Sequence, residues 1–177
     1  MAQRGSLIEF QENLSKRLAT AQSQASVSSL LAVQSGGVVW VLRLPDAGEV
    51  MPVPPLAVVP LTHHWYAGVA NVRGNLYSVI DFAAFCGKEH TPRHPTNRLV
   101  LCGQRYGLNA ALLVQQVLGL REATALKPVA SGESGGANGA NAAQQPWIGV
   151  EFEDAGGQRY QELNVEALTG RDRKSVV

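Results

Sequence analysis

The stretch Gly68 to Asp81, G-V-A-N-V-R-G-N-L-Y-S-V-I-D, constrains the fold more than any other part of the chain. Val69, Ala70 and Val72 lead into a short polar turn, and Leu76 to Ile80 lead out of it as apolar, aromatic and β-branched residues. Residues of that kind suit a pleated, half-buried surface, so the two runs predict paired strands. Gly74 and Asn75 are residue types that tolerate positive φ, and they close the turn beside Arg73. A hairpin with a charged tip follows. Such a segment needs further strands to cover its apolar face.

The rest of the chain supplies them. Leu30 to Val33 and Val38 to Leu42 are apolar runs joined through Gly36-Gly37, a dipeptide suited to a tight hairpin. Val50 to Val59 carries Pro52, Pro54 and Pro55, with Pro60 next, which excludes a central strand and predicts an edge segment. Arg98 to Cys102, Gly107 to Val114, Val117 to Leu120, Trp147 to Phe152 and Tyr160 to Leu163 continue the pattern at short spacing. Helical signals are brief. Asp81 to Gly87 has two phenylalanines three apart and a terminal glycine, predicting one or two turns, and N-V-E-A-L at 164–168 predicts another. Many short strands with few helices indicate an all-β barrel or sandwich.

Three segments lie outside that pattern. Residues 1–29 are expected to form a short amphipathic helix and a polar linker: Ser6 and Glu9 make a capping box, and Leu7, Phe10, Leu14 and Leu18 share a face that would dock on the chain's own domain. Residues 131–145 hold four glycines and no large apolar side chain, so a flexible surface insertion is expected there. The domain proper spans 30–168, and 169–177 are read as a tail.

Composition narrows the chemistry. The chain has 177 residues, is 45% hydrophobic and carries a net charge of +1, so it holds enough apolar side chains for a core but no field that would gather polyanions. Its aromatics are few and do not interleave with basic residues, which argues against the chief rival reading, a small barrel that binds single-stranded nucleic acid. Cys86 and Cys102 lie too far apart for a C-x-x-C motif and are read as reduced thiols. Cys86, His90 and His94 are spaced like metal ligands, but Pro92 and Pro95 break the helix that would stack the two histidines, so no metal is expected. His63 and His64 are adjacent and would point apart. No nucleophile elbow, P-loop or dinucleotide fingerprint is present, so neither catalysis nor a cofactor is expected. No apolar run reaches membrane-spanning length, and a cytoplasmic location is expected.

The window G-V-A-N-V-R-G-N-L-Y-S-V-I-D-F resembles the signature of the CheW-like family, with Ser78 where that family often has proline. The resemblance runs from about Leu30 to Leu168 and includes Glu49-Val50, the glutamate 24 residues before Arg73. Trp65 ahead of the window makes the chain most similar to the PilI-type members, which serve type IV pilus (twitching) systems. The resemblance implies two five-stranded SH3-like barrels about a common core. It also implies an adaptor that couples the cytoplasmic tip of a methyl-accepting chemoreceptor to the regulatory domain of a CheA-type histidine kinase, and that reaches membrane receptor arrays through those partners without inserting into the bilayer. Glu49, Val50, Gly68, Asn71, Arg73, Gly74 and Asn75 fall on the positions that it implies for partner binding.

Overall fold

A computed structural model describes residues 29–129 and 145–172. The expected N-terminal helix, most of the expected insertion and residues 173–177 lie outside the described residues. Twelve strands are described: β1 Ser29–Ser35, β2 Val38–Arg43, β3 Ala47–Pro52, β4 Leu56–Ala57, β5 Tyr66–Val72, β6 Asn75–Asp81, β7 Arg98–Cys102, β8 Ala110–Val114, β9 Gln116–Glu122, β10 Lys127–Pro128, β11 Ile148–Glu153 and β12 Arg159–Leu163. Two helices accompany them, α1 Phe82–Phe85 and α2 Val165–Asp172. The second is eight residues long, where the sequence pattern predicts five.

The strands form two six-stranded sheets, one in the order β10-β11-β12-β2-β1-β9 and the other β3-β7-β8-β6-β5-β4. Neighbours pair antiparallel except β12 with β2 and β6 with β8, which are parallel. Each sheet thus has one strand more than the expected five, and in each the extra is a two-residue edge strand, β10 or β4. The proline-rich stretch takes edge positions as expected: β3 and β4 are the two outer strands of the second sheet.

The continuous apolar runs of β1, β2, β7 and β8 have a simple cause: both faces of these strands are covered. Leu31, Val33, Trp40 and Leu42 of the first sheet meet Ile80, Val100, Leu112 and Val114 of the second in a shared core. Their neighbours point the other way. Leu30, Ala32 and Val41 enter a small cluster with Leu126 and Tyr160, while Leu99, Leu101, Ala111 and Leu113 enter another with Ala70 and Val79. Strand alternation therefore divides side chains between a common core and a private one for each sheet.

Helix α1 plugs the shared core. Asp81 caps its N-terminus through Oδ1, which accepts from the Ala84 amide, and Gly87 ends it at φ 75°. Phe82 is completely buried, with its ring centroid 5.1 Å from that of Trp40 and 6.0 Å from that of Trp147. The other oxygen of Asp81 accepts from the Thr91 amide at 2.8 Å, so one buried carboxylate fastens both the helix and the loop after it.

The second hairpin forms where the sequence places it, with a difference at the turn. Val72 pairs with Asn75, leaving Arg73 at φ 51° and Gly74 at φ 86° as the two central residues. Both are positive, the requirement of a type I′ turn. Asn75, expected to share the turn, is instead the first residue of β6, because right-handed strand twist favours the two-residue loop over a longer one.

Candidate functional site

The site begins at that turn. The Asn71 side-chain oxygen accepts from the Gly74 amide at 2.9 Å, which stiffens the turn and holds Arg73 outward. Arg73 Nη2 donates to Glu49 Oε1 at 2.7 Å across 24 residues of sequence. Glu49 lies on β3, an edge strand, and Arg73 between β5 and β6, three to four strands away in the order of the sheet. In a flat sheet that separation is about 14–19 Å. The ion pair therefore records how strongly the second sheet curls. The Arg73 side chain remains 76% exposed, so most of its five donors face solvent.

Gly68 serves the same hairpin from below. Its φ is 134°, and a Cβ there would lie 2.5 Å from the Ala57 carbonyl oxygen, so glycine is what lets β4 approach β5. Ser78, in the position where proline often stands, donates its amide to the Asn109 carbonyl at 2.8 Å and accepts from the Tyr66 hydroxyl at 3.2 Å. A proline could not make the first bond.

Exposed apolar side chains concentrate on this sheet. Among the described residues, seven large hydrophobic side chains are exposed, and five of them, Val50, Val58, Val59, Leu61 and Leu76, belong to the second sheet or its β4–β5 connection. Leu61 is fully exposed and holds φ 61°, a conformation costly for any residue with a Cβ. Of the seven residues singled out by sequence, the structure joins Glu49 to Arg73 and Asn71 to Gly74. Val50 stands beside Glu49, Asn75 beside Gly74, and Gly68 acts through the backbone.

A second feature has no counterpart in the sequence reading. A cavity of about 270 Å³ lies against the shared core, with Trp65, Ile80, Phe85, Leu112, Trp147 and Leu168 as its apolar walls and His63, Gln145 and Thr169 among its polar lining. His63 stacks on Trp65 with ring centroids 5.0 Å apart, and His64 turns instead toward His90. Gln145, read from sequence as the last residue of a flexible insertion, belongs to this wall, and its carbonyl accepts from the Ile148 amide at 3.0 Å. No local pattern announces the cavity, since its walls come from both ends of the domain.

The residues spaced like metal ligands go separate ways. His90 Nδ1 lies 3.4 Å from Asp81 Oδ2, and His94 Nδ1 lies 2.7 Å from Thr96 Oγ1. Burial pushes the Cys86 thiol up to about 12, so it stays protonated at neutral pH and is a poor nucleophile.

Against known proteins, the chain matches the family model of the CheW-like domain over residues 29–171. It is 31% identical over 135 residues to Protein PilI of Pseudomonas aeruginosa, covering 72% of this chain and 75% of that protein. The fold is similar to the crystal structure of the scaffolding protein TtCheW from Thermoanaerobacter tengcongensis, with a TM-score of 0.59 at 16% identity over 77% of this chain and 88% of that one.

Proposed function

The chain belongs to the CheW-like domain family, and on that premise we propose that it is a non-catalytic adaptor, coupling a methyl-accepting chemoreceptor to a CheA-type histidine kinase in a system that controls type IV pilus twitching. Its likeness to Protein PilI favours the pilus output over flagellar swimming. The proposal takes each sheet as an SH3-like barrel. The shared core between the sheets, the private core of each and the curl that brings Glu49 to Arg73 all agree with that geometry. The protein acts from the cytoplasm and meets the membrane through its partners; among the described residues no helix is long and apolar enough to cross a bilayer.

An adaptor needs two surfaces and no reacting group. The observation that carries the assignment is the Arg73–Glu49 pair: a guanidinium held on a stiff, strained turn, exposed, with uncovered Val50 next to Glu49 in the chain and uncovered Leu76 just after the turn. Oriented charge beside exposed apolar area is the composition of an interface, where the fork of an arginine gives direction and the apolar area gives affinity. Glu49, Val50, Gly68, Asn71, Arg73, Gly74 and Asn75 form this first surface. The aromatic-walled cavity forms the second, large enough for one or two apolar side chains of the other partner. Two partners held at fixed separation on a rigid body become coupled in their conformational states.

Arg73→Glu tests the first surface. Circular dichroism and melting should stay nearly as in the parent, since an exposed substitution changes stability by less than ~0.5 kcal/mol. Affinity for one partner should fall at least ~30-fold, the loss of a charge-assisted contact worth about 2 kcal/mol at a desolvated interface. Normal affinity of a folded Arg73→Glu protein for both receptor and kinase would remove this residue from the interface.

A further inference from the structure

Asp46 is a carboxylate only 5% exposed, on the 3-10 turn Leu44–Asp46 that carries the chain from β2 of the first sheet to β3 of the second. A buried carboxylate is stable only when its oxygens are engaged. The partners come from 60 residues away, on the 3-10 turn Gln104–Tyr106. The Tyr106 hydroxyl donates to Asp46 Oδ1 at 2.9 Å, Arg105 Nη2 is ion-paired with the same oxygen, and the Arg105 guanidinium lies over the Tyr106 ring, 4.8 Å from its centroid.

The two turns also touch through their backbones. The Gly103 amide donates to the Asp46 carbonyl at 2.8 Å. A Cβ on Gly103 would lie 2.7 Å from the Pro45 carbonyl oxygen, and one on Gly48 would lie 3.0 Å from that of Cys102. Glycine at both positions lets the segments lie this close. The segment so fastened sits between residues that line the cavity: Cys102 precedes it, and Leu108 and Ala110 follow it. The lining also includes Leu168 and Thr169 of α2, whose Glu166 is close enough to act on Arg105 through its charge. The Tyr106 hydrogen bond first, and then the charges of Asp46 and Glu166, push the Arg105 pKa up against the opposing effect of burial.

We propose that Asp46, Arg105 and Tyr106 are positioning residues, a latch that fixes the 102–110 wall and so sets the shape in which the cavity receives its partner. The docking half of this statement rests on the adaptor reading above; the mechanical half does not. The latch joins the connection between the sheets to a segment flanked by cavity-lining residues, so loosening it changes the cavity while the two sheets stay paired.

The test is amide hydrogen exchange on the full chain. Tyr106→Phe keeps the ring and removes the hydroxyl, and Asp46→Asn keeps the shape and removes the charge. In either variant exchange at residues 103–110 should quicken at least about tenfold, the scale of one lost charge-assisted hydrogen bond, while β1 and β2 keep their protection. Unchanged exchange in folded Tyr106→Phe overturns the latch, even if Asp46→Asn fails to fold. Binding is measured in parallel, with a purified chemoreceptor cytoplasmic fragment and a purified kinase regulatory domain titrated separately. Thr169→Trp, which adds bulk to the cavity lining, should weaken one of the two, and Tyr106→Phe should weaken that same partner while sparing the one sensitive to Arg73→Glu. If Thr169→Trp acts and Tyr106→Phe does not, the latch is no positioning device. If Thr169→Trp leaves both partners unaffected, the cavity is not a docking surface, and the exchange result alone decides whether the latch holds its wall.

Discussion

The molecule contains two hairpins with the same turn geometry and different residues in it. Between β1 and β2 the central pair is Gly36-Gly37, at φ 60° and 78°; between β5 and β6 it is Arg73-Gly74, at φ 51° and 86°. The first turn is packed: a Cβ on Gly36 would meet Lys88 Cγ at 3.0 Å and Ala83 Cβ at 3.6 Å, and Cys86 and Lys88 line a small crevice beside it. The second is open at the equivalent position, where the Arg73 side chain is 76% exposed; at the other central position the turns are alike, with nothing within 4 Å of a Cβ on Gly37 or Gly74. Glycine solves the packed turn at no steric cost. At the open turn a left-handed arginine costs about 1 kcal/mol that glycine would avoid. An exposed ion pair returns less than that. A residue kept in a costly conformation where a cheaper one fits points to a role beyond folding.

Exchanging the two solutions should carry very unequal costs. Gly36→Arg places a large side chain at positive φ against Lys88 and Ala83, and should cost about 2–4 kcal/mol of stability, read as a lower urea midpoint at unchanged slope. A loss no larger than ~0.5 kcal/mol would show that the first turn is as open as the second.

Next in size is a pH effect confined to the packed turn. Cys86 has its pKa raised by burial to about 12, above the ordinary 9.0. A group raised in the folded state favours the fold while it is protonated in both states; that contribution is whole below pH 9 and is lost as pH rises from 9 toward 12. Stability measured across that window should therefore fall in the parent and fall less in Cys86→Ala. The same slope in both proteins would show that the thiol is not buried as described.

The smallest expected change is the most informative about the open turn. Arg73→Gly removes the strain and the ion pair together and adds the entropy of a glycine in the unfolded chain, terms of about 1 kcal/mol or less that nearly cancel. Thermal unfolding should move by the equivalent of ~0.5 kcal/mol or less. A loss above ~1.5 kcal/mol would make the Glu49–Arg73 pair a structural staple of the curled sheet.

Much of this was legible in the chain, for local reasons. Gly36-Gly37, the prolines at 52, 54 and 55, the paired phenylalanines with Gly87, and the apolar runs each carry a signal within a few residues, and each produced the element expected. Val50 to Val59 became edge strands because proline has no amide to give to a neighbour. Glu49 and Arg73 could be paired in advance only through the family spacing, since the curl that brings them together is a property of the whole sheet.

The sequence by itself determined which residues turn, which extend and which face inward, because conformational preference and strand alternation are written at a range of two to four residues. It did not determine that Asn75 leaves the turn to Arg73, since that choice belongs to the twist of two paired strands. Nor did it contain the cavity, whose walls run from His63 to Thr169, or the latch of Asp46 on Tyr106 across 60 residues. Those features exist only once two sheets have packed, because the alternation that says a side chain is buried does not say which distant residue will bury it.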